Sequence, residues 1–308
     1  MEQLKRTVEE IEKVIKGKRD TIVQVFMAIL AGGHVLMEDI PGVGKTTMAL
    51  AFSRALSLEY HRVQFTPDVL PGDITGFSMY NKKTEEFEYV PGSAFCSLLL
   101  ADEINRTSPK TQSALLEIME EKKVTVDGVT RELPNPFIVL ATQNPFGSAG
   151  TQRMPESQMD RFMIRISMGY PERDSEIEIL KGEGIKRITD VSPVLTREEL
   201  LEYKNKVENV YVSDSLYGYI IDITRKTREH ELTALGISPR GSLALLAMSK
   251  ANAAFLGRDF VIPEDVKYVL PLTGGHRIVL SPKGKAKGMN EEEVLNLILG
   301  EIPVPEVS

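Results

Sequence analysis

Residues 42 to 47 read Gly-Val-Gly-Lys-Thr-Thr and follow the apolar run Val35-Leu36-Met37. A glycine loop that leaves a strand and opens a helix with Lys and Thr can wrap a triphosphate. Backbone N–H groups face the phosphates, Lys45 meets the β and γ oxygens, and Thr46 reaches a Mg²⁺ ion. The expected phosphate-binding residues are therefore Pro41, Gly42, Val43, Gly44, Lys45, Thr46 and Thr47. The general pattern G-x-x-x-x-G-K-[ST] places glycine where this chain has Asp39, which falls at the strand exit and leaves the cradle itself intact.

Hydrolysis at such a loop needs a second acidic strand end, with one carboxylate to complete the Mg²⁺ shell and one to orient and polarise the attacking water. The run Leu98-Leu99-Leu100-Ala101-Asp102-Glu103 supplies both. Asp102 is expected to hold Mg²⁺ through water, and Glu103 to act as base. Asn144, which follows the apolar strand Phe137 to Ala141, is placed by sequence order beside Glu103 and the γ-phosphate. His34, His61, His230 and His276 lack metal-ligand spacing and read as structural or exposed. No Ser/His/Asp or Cys/His set stands out.

These residues must be positioned by alternating helices and short apolar strands: Val35 to Met37, Arg62 to Phe65, Ser97 to Ala101 and Phe137 to Ala141. Strands that read as unbroken apolar runs belong to a parallel sheet covered on both faces, an α/β arrangement. A first helix is expected over Leu4 to Ile15, with Gly17 to stop it, and a second from Asp20 as N-cap to Ala31. Two inserts interrupt the layout, Gly76 to Pro91 and Lys123 to Leu133, and both read as hairpins, the second from its Asp127-Gly128 turn. After Pro193 the pattern is helices only. Thr196/Glu199 and Asn290/Glu293 have capping-box spacing, Ser238 precedes Pro239, and Gly257 and Gly300 supply stops.

Composition bounds the partners. The chain has 308 residues, 42% hydrophobic and 26% charged, which suits one sizeable α/β domain plus a smaller one. A net charge of −7 argues against a dedicated nucleic-acid surface. The single cysteine, Cys96, excludes an intramolecular disulfide, fits a reducing cytoplasm and is expected to pack in a buried strand. The start is charged and lacks the apolar stretch of a secretory signal. The apolar region Ile22 to Met37 is broken by Gln24, Gly32, Gly33 and His34, so no membrane insertion is expected.

Over nearly its whole length the chain resembles the MoxR group of AAA+ ATPases. The residues that carry the likeness are Glu38 to Thr46, Gln64 to Asp68, Asp73 to Gly76, Ala101 to Arg106, Lys110 to Gln112, Ala114 to Glu117 and Ala141 to Pro145. The resemblance implies an αβα nucleotide-binding core over residues 1–170, a linker over 171–190 and a smaller all-α lid over 191–308. It also implies a homo-oligomer, a hexameric ring with ATP at subunit interfaces. In Pro155 to Phe162 it matches Arg161 to the arginine finger that reaches a neighbour's γ-phosphate, and in Gly236 to Gly241 it matches Arg240 to the sensor 2 arginine, in cis or in trans. Val14, Ile15 and Gly17 match the stretch flanking the adenine, with Lys18 where Gln is more usual, while Arg153 departs from the family pattern and takes no role.

The function this implies is hydrolysis of Mg-ATP coupled to chaperone-like remodelling or maturation of client proteins, often alongside proteins with a von Willebrand factor A domain. Two alternatives stay open. One is a nucleotide-gated binding module with slow hydrolysis as a timer. The other is a DNA-remodelling motor, which the acidic balance disfavours and which Lys82-Lys83 and Lys122-Lys123 keep testable.

Overall fold

A computed structural model of the chain describes residues 2–39, 42–144, 154–181 and 187–305. The first helix, α1 (Glu2–Glu12), buries Leu4, Val8 and Ile11, which recur at helical spacing on one face. In α2 (Arg19–Leu30), Asp20 lies in the first turn rather than at the cap, where Lys18 stands without a side-chain hydrogen bond. A carboxylate in that turn complements the positive end of the helix dipole. Gly32, at φ 77°, closes α2 in the left-handed region and delivers the chain to β1 (Val35–Glu38).

From the phosphate loop the chain runs through α3 (Lys45–Ala55), β2 (Tyr60–Gln64) and α4 (Pro71–Thr75) into a hairpin of β3 (Phe77–Asn81) and β4 (Glu86–Val90). There follow β5 (Leu98–Asp102), α5 (Pro109–Glu121) and a second hairpin of β6 (Lys123–Val126) and β7 (Val129–Glu132). The core closes with β8 (Ile138–Gln143), α6 (Glu156–Met159) and β9 (Ile164–Ile166). Five of these strands form one parallel sheet in the order β2-β5-β8-β1-β9. The period-2 alternation of strands divides the core by face. Leu98, Leu100, Ile138 and Leu140 pack with α1, α2 and α3, while Leu99, Ala101, Val139 and Ala141 pack with Phe65, Leu115 and Phe162 on the other side.

Both hairpins expected from the inserts are present, and they touch: the Arg131 guanidinium of β7 lies 3.7 Å over the Tyr89 ring of β4. Cys96 is buried as expected, but in the bend before β5 rather than in a strand. Burial pushes its thiol up to about 12.

Beyond α7 (Arg173–Lys181) come α8 (Arg197–Glu208), α9 (Asp214–Glu229), α10 (Pro239–Phe255), α11 (Pro263–Gly274), α12 (Pro282–Ala286) and α13 (Glu291–Gly300). The capping boxes at Thr196 and Asn290 and the Ser238 cap form as their spacing predicts. Gly257 ends α10 at φ 83°, whereas Gly300 is the last residue of α13 and is not left-handed. The helices-only reading of this half needs one correction. Two short strands, β10 (Thr233–Leu235) and β11 (Val279–Leu280), pair antiparallel. At three and two residues they are too short to show a period, and their pairing is fixed by contacts distant in sequence, such as Ser281 N–H to the Leu232 carbonyl at 2.9 Å. Leu216, Leu245, Val266 and Val294 of these helices belong to the same continuous apolar cluster as the α1–α3 face of the sheet.

Candidate active site

The loop between β1 and α3 owes its shape to two glycines, Gly42 at φ 88° and Gly44 at φ 96°. Other residues take that backbone only at a cost, and successive N–H groups in such a turn make an anion-binding concavity. Behind the loop, Ile15 and Met168 lie 3.5 and 3.7 Å from where a Cβ on Gly44 would stand. Lys45 is buried, and its Nζ donates to the Asp39 carbonyl at 2.7 Å. Burial pushes the Lys45 pKa down, against the opposing pull of Asp39, Asp102 and Glu103. An ammonium that spends one of its three donors on a carbonyl has the others left for phosphate oxygens. Thr46 and Thr47 line the same cleft of about 390 Å³, together with Arg62, Gln64, Asp102, Glu103 and Asn144. Val43 packs against the core beneath, and Pro41 lies outside the described residues.

Asp102 and Glu103 enter this cleft from the C-terminal end of β5. The sheet order separates β5 from β1 by β8, so a crevice opens across three adjacent strand ends. Asp102 accepts from Thr142 Oγ1 at 2.6 Å and from Arg62 Nη2 at 2.7 Å. Glu103 stands at φ 57°, an uncommon backbone for a residue other than glycine, which turns its carboxylate out of the sheet. That carboxylate accepts from Asn144 Nδ2 at 3.0 Å, Gln64 Nε2 at 2.9 Å and Arg106 Nη1 at 2.7 Å. Burial pushes the Glu103 carboxyl upward, but hydrogen bonds from Arg106 and Asn144, with the charge of Arg106, outweigh it and hold the pKa below the ordinary value. Glu103 is therefore ionised at neutral pH.

The cradle fits a nucleotide's polyphosphate: its glycines are open to the cleft, its lysine has donors to spare, and acidic groups stand across from it. Thr46 and Asp102 offer oxygen donors of the kind Mg²⁺ takes alongside phosphates and water. Among the described residues no cluster of His, Cys, Asp and Glu would hold a metal ion by itself.

Ile15, of the segment expected to flank the adenine, thus lies behind the phosphate loop, on the side that a Cβ at Gly44 would face. Val14 packs against the core, and Gly17 takes φ 66° beside Ser175. Lys18 Nζ donates to the Tyr170 carbonyl at 2.7 Å.

The two arginines stand elsewhere. Arg161 precedes β9, and two residues on Met163 N–H donates to the His34 carbonyl at 2.8 Å, just ahead of β1, so Arg161 lies at the N-terminal edge of the sheet. Arg240, in the first turn of α10, meets it there: Arg161 Nε lies 3.2 Å from Glu120 Oε2, and Arg240 Nη2 pairs with Glu120 Oε1. The phosphate loop is at the opposite, C-terminal edge. Arg153 lies outside the described residues.

Arg62, Gln64, Arg106, Thr142 and Glu120 contact the site residues; from sequence Gln64, Arg106 and Thr142 stood only within the runs that carry the family likeness, without a role, and Arg62 and Glu120 were not singled out. Arg62 and Gln64 carried a usable signal. They alternate along β2 and flank Val63, which puts both side chains on one face, and Gln64 pairs in register with Asp102. Glu120 carried none, because its partners are 41 and 120 residues away.

A model of the ATPase family associated with various cellular activities (AAA) matches residues 34–164, and one of the AAA lid domain matches residues 225–298. The uncharacterized protein YeaC of Bacillus subtilis is 48% identical over 98% of this chain and 95% of its own length. Chaperone MoxR1 of Mycobacterium tuberculosis is 37% identical over 99% of this chain and 83% of its own. A crystal structure of a candidate ATPase from Cytophaga hutchinsonii matches with a TM-score of 0.90 and 36% identity, covering 99% of this chain and 96% of that one.

Proposed function

The chain belongs to the MoxR family of AAA+ ATPases, and from that premise we propose how its residues divide ATP hydrolysis between neighbouring subunits. Within a subunit the phosphate loop and Lys45 hold the β and γ phosphates, and Val14, Ile15 and Gly17 flank the base. Thr46 and Asp102 would hold Mg²⁺, which when bound neutralises charge on the phosphate oxygens. Ionised Glu103 accepts the proton of the attacking water, and Asn144 orients that carboxylate.

Arg161 and Arg240 complete the site of the neighbouring subunit. The observation that carries this reading is their separation from their own phosphate loop by the sheet itself. The four residues of β1, at roughly 3.3 Å each, hold the two edges about 13 Å apart. In a ring of six, each subunit then supplies a phosphate site on one side and two cations on the other, which stabilise the charge of the transferring phosphoryl group. The division into a core over residues 1–170, a linker over 171–190 and a lid over 191–308 suits such a device.

The output we propose is chaperone-like remodelling or maturation of client proteins, with a von Willebrand factor A domain protein as one partner, in the cytoplasm. The relative named Chaperone MoxR1 supports it. No described helix is long and apolar enough to cross a membrane. A second reading, a nucleotide-gated assembly module with slow turnover, is favoured by the three donors that engage Glu103. Glu103→Gln tests the first: ATP affinity should stay within about threefold while turnover falls at least about 100-fold. Turnover at the wild-type level in that variant would remove Glu103 as base.

A further inference from the structure

We propose that Glu120 is a positioning residue that sets Arg161 and Arg240 side by side as one composite cation for the neighbouring subunit's γ-phosphate. The inference rests on the reading that Arg161 serves a neighbour's site. It adds an acidic residue on the core helix α5, in contact with both arginines, which that reading does not contain.

The two arginines share one platform. Asp160 Oδ1 accepts from Arg277 Nε at 2.7 Å, and Asp160 Oδ2 accepts from Ser238 Oγ at 2.8 Å. Ser238 is the N-cap of α10, two residues before Arg240. Arg277 in turn donates to the carbonyls of Asp160, Phe162 and Met163 at 3.0, 2.6 and 3.0 Å. Arg277, from the turn after α11, thereby fixes the backbone on both sides of Arg161, and Ser238 ties Asp160 to α10, the helix that carries Arg240. A shared base brings two like charges together, and their repulsion would splay the guanidiniums apart.

Glu120 resolves that conflict at the tips. One carboxylate oxygen faces each arginine, at Nε of Arg161 and at Nη2 of Arg240. The Arg161 contact is an ion pair by distance, and its Nε–H is not aligned for a hydrogen bond. Among the described residues each guanidinium is thus engaged through one nitrogen, which leaves terminal N–H groups to present to a phosphoryl group. The side chains of Arg161, Arg240 and Glu120 are 31%, 43% and 42% exposed, so a neighbouring subunit can reach them. Ion pairs this exposed contribute little to folding, which leaves the alignment of two cations as what the trio supplies.

The test is the ATPase of Glu120→Gln at protein concentrations that support assembly, alone and mixed with Lys45→Ala subunits. The latter hydrolyse nothing themselves but offer intact arginines. Alone, Glu120→Gln should lose tenfold or more in kcat with KM for ATP within twofold, because its own phosphate site lies at the other edge of the sheet. Mixing should restore activity several-fold, which a folding defect in the variant subunit would not allow. The adjacent Glu121→Gln should keep wild-type turnover. Wild-type kcat in Glu120→Gln, a loss that Lys45→Ala subunits do not rescue, or failure to assemble would each overturn the inference. Arg161→Ala is run beside it. If that variant is not rescued either, the interface reading falls and takes the inference with it; if it is rescued and Glu120→Gln is not impaired, the inference alone falls.

Discussion

Asp39 occupies the position where phosphate loops commonly carry glycine, and its carboxylate explains the change. It accepts from Ser167 Oγ at 2.9 Å, from Gly169 N–H at 3.2 Å and from Met168 N–H, tying the exit of β1 to the exit of β9. Its carbonyl meanwhile holds Lys45. Glycine at this position would keep the carbonyl and orphan two backbone donors, one of them buried. Asp39→Gly should therefore lower stability by about 2–3 kcal/mol, the scale of losing charged hydrogen bonds, despite restoring the general motif. Chemical denaturation measures this, and a variant as stable as the wild type would contradict it. The sequence named Asp39 as a departure but could not supply its partners, which lie 128 to 130 residues on. Lys45, Asp102, Glu103 and Asn144 were legible because each follows a strand whose type announces itself. Of the residues holding them, Arg62 and Gln64 showed only their alternation about Val63, and Arg106 showed no role of its own, since an isolated polar residue at a helix end resembles any solvated one.

Elements were legible to the extent that their periods were long enough to count. β5 and β8 read as unbroken apolar runs and are buried throughout, and the Asp127-Gly128 turn marked its hairpin. The strands β9, β10 and β11, of three residues or fewer, exist through pairing rather than pattern. His34 shows what joins the elements. Its Nδ1 accepts from Val139 N–H at 3.0 Å, so its Nε2 carries the proton donated to the Met119 carbonyl at 3.0 Å, linking the approach to β1 with β8 and α5. Burial pushes its pKa down to about 4, against the Met119 bond. The unfolded chain takes up a proton near the ordinary value of 6.5 that the folded chain refuses until about 4. Stability is thus full above that range and falls as pH drops through it, by roughly 2 kcal/mol between pH 7.5 and 5. Urea titrations at the two pH values should show a fall shallower by that amount in His34→Gln; equal falls in variant and wild type would refute the assignment.

At the scale of the whole molecule, the phosphate loop and the Arg161–Arg240 pair stand at opposite edges of one sheet, which in the proposed function makes them halves of two different sites. The helix α5 spans them, from the vicinity of Glu103 to Glu120, its 13 residues covering about 20 Å at the usual helical rise. In the proposed ring, a change around Glu103 at a subunit's own nucleotide would have a rigid path along α5 to the arginines offered to the next. The resemblance named Arg161 and Arg240 and left open which site Arg240 serves; only the docking of α10 below the sheet, through Ser238, Asp160 and Glu120, puts it with Arg161. On the proposed function such an arrangement would be incomplete as a monomer. The most direct test is the steady-state ATPase rate per subunit as protein concentration rises, with Glu103→Gln as the blank. The account predicts a rate that climbs with concentration to a plateau and is absent from the variant. A per-subunit rate independent of concentration down to the monomer would contradict it.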